Sequence, residues 1–261
     1  MLNTIMLLLE NLVSEKPNMP PTILYNEGWL LRVVMQWFFQ NQVAGHPFSF
    51  KTGAGWFSEG LLRSPFPAAR RGDPLAESYT HADGVIGNIA VGGAGKVDIS
   101  LVEPFDQFVV LEAKLFSELA GGTTRAAGYN QAARNVACMA KIIEFSEASI
   151  DNFKSLGFYV IAPQPQLDKE PSFNEFIQKE SIYQKVLARV ESYKARSDYA
   201  EKRDWLETFF IPLLSKLKVE AFSWEMIIES IGRNDQAMGE KLVIFYSRCL
   251  DFNKLREGKR S

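Results

Sequence analysis

Glu112 and Lys114 stand two positions apart at the end of the run FVVLEAK, straight after four consecutive apolar residues. Side chains alternate along a strand, so the carboxylate and the amine point to one face while Ala113 points to the other. Fourteen positions earlier, KVDISLVE carries Asp98. If Pro104 to Asp106 make a hairpin turn, Asp98 returns alongside Glu112 and Lys114. Two carboxylates with a backbone carbonyl such as that of Ala113, waters and a substrate phosphate are the oxygen ligands Mg²⁺ prefers, with Mn²⁺ as its substitute. Such an ion lowers the pKa of a bound water and neutralises charge on a phosphodiester, and Lys114 would orient that water or stabilise the transition state.

Other charges have competing readings. Asp83, in HADGVIG, is a substrate-side or second metal ligand, or a turn former before Gly84. Glu103 and Asp106 belong to a solvated turn. Arg63, Arg70 and Arg71, interleaved with Trp56, Phe57 and Phe66, could make a basic and aromatic lip for a nucleic-acid backbone or a surface loop with internal ion pairs. With only His46 and His81, a multi-histidine zinc site is disfavoured. The glycines of GNIAVGGAGKV lack the spacing of a phosphate loop and fit a hairpin turn.

The elements that would position these groups follow from periodicity and turn residues. A first apolar helix without a basic leader region occupies about 1 to 16, and Pro17, Pro20 and Pro21 separate it from a helix at about 23 to 42 with Glu27 in its first turn. Residues 43 to 80 read as irregular, with a short helix around Ser58 to Leu62. Three strands, ADGVIGNIAV, KVDISLVE and QFVVLEAK, form an antiparallel meander. A helix over 128 to 146 carries Gln131, Arg134 and Asn135. GFYVIAP is a buried strand, and the rest is mostly helical with a short strand at VEAFSW and a basic tail, LREGKRS.

The chain has 261 residues, a net charge of -2 and 46% hydrophobic residues, enough for one elaborated domain. It gives no global signature of a polyanion binder, so any nucleic-acid contact uses local patches. Two cysteines without a CxxC pattern suit a reducing, cytoplasmic setting, and no uninterrupted apolar run is long enough to span a membrane.

The pattern D-x13-E-x-K between two helices, followed by another strand, resembles the PD-(D/E)xK nuclease superfamily. The resemblance covers residues 23–165, with 1–22 as a leading helix and linker and 166–261 as a helical extension packed on the core. It implies an α/β fold: a restriction endonuclease-like αβββαβ core with a mixed central sheet flanked by helices. It implies a Mg²⁺-dependent nuclease acting on DNA, with RNA left open and endonuclease or exonuclease action undecided. Asp98 matches the motif aspartate, preceded by Val97 where the name has proline; Glu112 and Lys114 match ExK. Members place a glutamate on the first core helix, for which Glu27 is the candidate and Glu59 the rival, and a glutamine after ExK, here Gln131. Gln131 with Asn135 and Arg134 would hold substrate phosphate or steady Lys114. The alternatives are a non-catalytic module of the same fold that binds nucleic acid or a partner, and an unrelated enzyme using Glu112 and Lys114 as acid-base groups. The helices near 205 to 253 are candidates for a homodimer or partner contact, with core packing as the bland alternative.

Overall fold

The computed structural model describes residues 1–77, 80–93, 95–122 and 126–254; the basic tail and part of the GGTT turn lie outside these. In order, the elements are α1 (Leu2–Asn11), α2 (Glu27–Asn41), β1 (Gly55–Leu62), β2 (Thr80–Gly87), β3 (Ile89–Val91), β4 (Ile99–Leu101), β5 (Gln107–Ala113), α3 (Gln131–Phe145) and β6 (Ser155–Ala162). There follow α4 (Gln164–Lys169), α5 (Pro171–Phe176), α6 (Lys179–Glu191), α7 (Tyr199–Trp205), α8 (Ile211–Lys216), β7 (Lys218–Ser223), α9 (Trp224–Asn234) and α10 (Gln236–Asn253). No described helix is long and apolar enough to cross a membrane.

A mixed five-stranded sheet in the order β1-β2-β5-β6-β7 runs through the centre. β1, β2 and β5 are antiparallel neighbours, whereas β5, β6 and β7 are parallel. Parallel strands are covered on both faces and therefore read as unbroken apolar runs, which is why FVVL shows no polar alternation. Its residues divide with period two: Phe108 and Val110 enter the core beneath α3, and Val109, Leu111 and Ala113 enter the core beneath α2. On α3, Val136, Met139 and Ile143 are fully buried, each worth roughly 1.5–3 kcal/mol. Asn130 caps that helix by accepting from the Ala133 N–H at 2.8 Å. On the opposite face α2 lies so close to β2 that a side chain on Gly84 would meet Met35 Sδ at 2.8 Å.

Two expectations are corrected. GWFSEGLL is the edge strand β1, not a helix: Trp56 and Phe57 pair with Ile86 and Val85. The expected meander partner of β5 is also different. Residues 89–101 form a separate two-stranded ribbon, β3 with β4, and the strand beside β5 is β2.

The C-terminal extension is continuous with this architecture. β7 adds the fifth strand, and Trp224, Ile227, Ile231, Leu242 and Tyr246 fill the same core as α2. Core packing thus accounts for much of the apolar content of α9 and α10.

Candidate active site

At the C-terminal end of β5, Glu112 is 2% exposed. Three donors meet its carboxylate: Lys114 Nζ at 2.7 Å and Gln131 Nε2 at 2.5 Å on Oε1, and Asn135 Nδ2 at 3.1 Å on Oε2. Gln131 and Asn135 lie one helical turn apart on α3, so both amides reach the same strand end. Gln131 Oε1 accepts from the Ala120 N–H at 3.2 Å, which directs its NH₂ group at Glu112. The backbone of Lys114 is held twice: its N–H donates to Ile161 O, and its carbonyl accepts from Trp224 Nε1, each at 2.8 Å. Four of the expected site residues, Glu112, Lys114, Gln131 and Asn135, therefore do converge.

Asp98 does not join them. It immediately precedes β4, bridging Leu61 at the far end of edge strand β1 while its carbonyl accepts from the Gly92 N–H at 2.9 Å, and β1 and β2 separate it from β5. Its Oδ2 accepts from the Gly95 N–H at 2.8 Å, closing the turn of the ribbon. The turn residues did mark a hairpin, but the hairpin is β3–β4, so the return path never reaches Glu112.

The aspartate at the site is Asp83. In the β2–β5 register Gly84 faces Leu111, and one step further Asp83 faces Glu112. Paired antiparallel residues share a face, so both acids point toward α3. Asp83 Oδ2 accepts from the Ala113 N–H at 2.7 Å. Burial first, then the charge of Glu112, raises the Asp83 carboxyl to about 7, against the Ala113 N–H and Lys114, which act in the opposite direction. The Asp83 carboxyl, beside a second acid that already holds the Lys114 ammonium, therefore retains its proton near neutrality. The signal available in the sequence was alternation: Asp83 and Val85 share a face, and Val85 faces Val110 across the seam.

The remaining candidates go elsewhere. Glu27 follows the α2 cap and lies beside Cys249 of α10, raising that thiol after the larger effect of burial. Glu59 has φ 57°, and this left-handed turn in β1 swings its carboxylate to the α2 side, where it meets Arg32 at 3.3 Å. Neither glutamate touches Glu112. Arg134 points away from the seam and donates to Thr80 Oγ1 at 3.0 Å. The supposed lip is dispersed: Phe66 is fully buried and stacked on Tyr193, Arg63 lies over the Phe145 ring at 3.8 Å, and Arg70 and Arg71 occupy an exposed turn. Phe66 is worth more to the core than to a surface. Asp106 pairs with Lys154, as a turn residue would.

Trp224 is a site residue that periodicity could not reveal, because it acts from another element through a backbone atom. Among the described residues no group of three or more His, Cys, Asp and Glu side chains is arranged to hold a metal. Comparison with family models, with curated proteins and with solved structures returned no match.

Proposed function

We propose that this protein is a divalent-metal-dependent nuclease that hydrolyses phosphodiester bonds of DNA, with Asp83, Glu112 and Lys114 as its PD-(D/E)xK set. The order α2, β1, β2, β5, α3, β6 is αβββαβ once the β3–β4 ribbon is taken as an insertion, which supports a restriction endonuclease-like core. Asp83 takes the role first given to Asp98.

The observation that carries this reading is the juxtaposition of half-buried Asp83 and buried Glu112 on neighbouring strands, with Lys114 Nζ 2.7 Å from Glu112. Its donor chemistry fits a hard cation. Two carboxylates lie together there, Asp83 beside Glu112, and burial with the neighbouring acid holds the Asp83 carboxyl well above its usual range, so a hard cation would relieve that pair. Asp83 and Glu112 would hold Mg²⁺ or Mn²⁺, with the Ala113 carbonyl as a backbone ligand. When bound, such an ion supplies a water of lowered pKa and positive charge for the phosphate oxygens. Gln131 and Asn135 fix the Glu112 carboxylate in one rotamer. Lys114, pinned through its backbone to β6 and Trp224, presents an ammonium beside that carboxylate and can stabilise developing negative charge.

Supercoiled plasmid and single-stranded DNA and RNA, incubated with Mg²⁺, Mn²⁺ or EDTA, test the reading. Metal-dependent cleavage of DNA, lost in Asp83→Asn, Glu112→Gln and Lys114→Ala, is the expected result. Binding without cleavage in the wild type would instead make the chain a non-catalytic module.

A further inference from the structure

At the opposite end of the sheet from Glu112 lies a cavity of about 300 Å³ at the start of β6 and β7. Lys51, Lys154, Lys216 and Lys218 all line it, and among the described residues no carboxylate does. This is a local concentration of positive charge on a chain whose net charge is -2. Lys154 is paired with Asp106 and Lys216 with Asp151, while Lys51 and Lys218 form no ion pair among the described residues.

The neutral polar lining is equally one-sided. His46 Nδ1 accepts from the Phe48 N–H at 3.1 Å, and its ring stacks on Phe38 with centroids 4.3 Å apart. That bond leaves the imidazole proton on Nε2, as a donor. Burial holds the ring's pKa below its usual value. Ser49 and Ser155 add hydroxyls. The wall is also fixed: buried Gln107 accepts from the Lys51 N–H and donates to Ser49 O, each at 2.8 Å, clamping the 49–51 segment to the first residue of β5. A concave site with cations, hydroxyls and an imidazole N–H but no carboxylate is matched to an oxyanion with several acceptor oxygens.

We propose that this cleft is a second, non-catalytic site that binds a phosphoryl group, with Lys51 and Lys218 as its unpaired cations and His46 as a neutral donor. The phosphoryl group comes either from a small phosphorylated molecule or from the backbone of a nucleic-acid strand. Glu112 lies about 17 Å along β5 from Gln107, so one short strand or duplex could reach both ends, but the cleft's chemistry stands independently of the nuclease reading.

Titration calorimetry in EDTA with inorganic pyrophosphate and with a 5′-phosphorylated oligonucleotide tests it. Binding of either, reduced at least about tenfold in the double variant Lys51→Glu/Lys218→Glu, is the expected result. Both side chains are exposed, so this variant keeps the fold. His46→Phe, which preserves the stack on Phe38, should weaken binding by a smaller factor. Pyrophosphate matching the oligonucleotide assigns a small ligand; tight, salt-sensitive oligonucleotide binding with weak pyrophosphate binding assigns a strand. No binding of either up to about 1 mM, or undiminished binding in the double variant, overturns the proposal. Asp83→Asn should leave pyrophosphate binding unchanged, so loss of cleavage and loss of this site are separate results.

Discussion

Two aspartates fifteen positions apart illustrate how differently one side chain can be set. Asp83 is half-buried at the β2–β5 seam, opposite a second acid, and its carboxyl is raised to about 7. Asp98 lies in the β3–β4 ribbon at the sheet edge and closes its own turn by accepting from Gly95. The difference comes from what the neighbouring strand supplies. Across from Asp83 stands Glu112; alongside Asp98 is the backbone of Leu61.

The sharpest way to break this contrast is kinetic. Asp83→Asn and Glu112→Gln should each lower the cleavage rate by about 10²–10³ or more, the scale of losing one group that stabilises transition-state charge. Asp98→Asn should stay within about twofold. Equal losses at 83 and 98 in a plasmid-nicking assay would erase the distinction.

Stability gives the next largest effect. Lys114→Met removes the ammonium from a 2%-exposed carboxylate and should cost about 3–5 kcal/mol in urea unfolding, the range for breaking a buried ion pair. A second change to Glu112→Gln should recover part of that loss, since the remaining partners are neutral amides.

Acidity provides a third handle. A carboxyl raised from 3.8 to about 7 binds a proton more tightly folded than unfolded. Its contribution to the stability of the metal-free protein is therefore present at low pH and lost as pH rises through that window. A cation must displace the same proton, so Mn²⁺ affinity measured by calorimetry should weaken about tenfold per pH unit below 7 and level off above it. Asp83→Asn should flatten that profile.

The smallest effect belongs to the tether. Trp224→Phe keeps the buried ring and deletes one hydrogen bond to Lys114 O, for about 1 kcal/mol of stability. The cleavage rate should fall while substrate KM stays constant, a split that lost packing alone would not give.

Much of this arrangement was legible in the residues, for physical reasons. FVVLEAK and GFYVIAP have the composition of buried strands, and each is one; VEAFSW, read as a short strand, supplies the partly exposed edge strand β7. Glu112, Lys114, Gln131 and Asn135 were legible because strand alternation and a single helical turn determine which side chains share a face. β1 was not, because GWFSEGLL holds two glycines and turns left-handed at Glu59, so period two breaks within it. The Asp98 error has a related origin. Turn residues locate a hairpin but do not say which larger sheet it joins, and here β2 and β5 pair across an inserted ribbon. Glu27 and Arg134 have suitable types and helix positions, yet their directions are decided by packing against α10 and Thr80.

The indole–carbonyl link between α9 and Lys114 sets a minimum length for any working fragment. A piece ending after α8 would retain both acids, the lysine and the two amides, but would lose the outermost strand of the sheet and the anchor behind the lysine. Trimming the protein to the region 23–165 should thus yield an insoluble or inert product, even though every acid and amide of the candidate site lies within it.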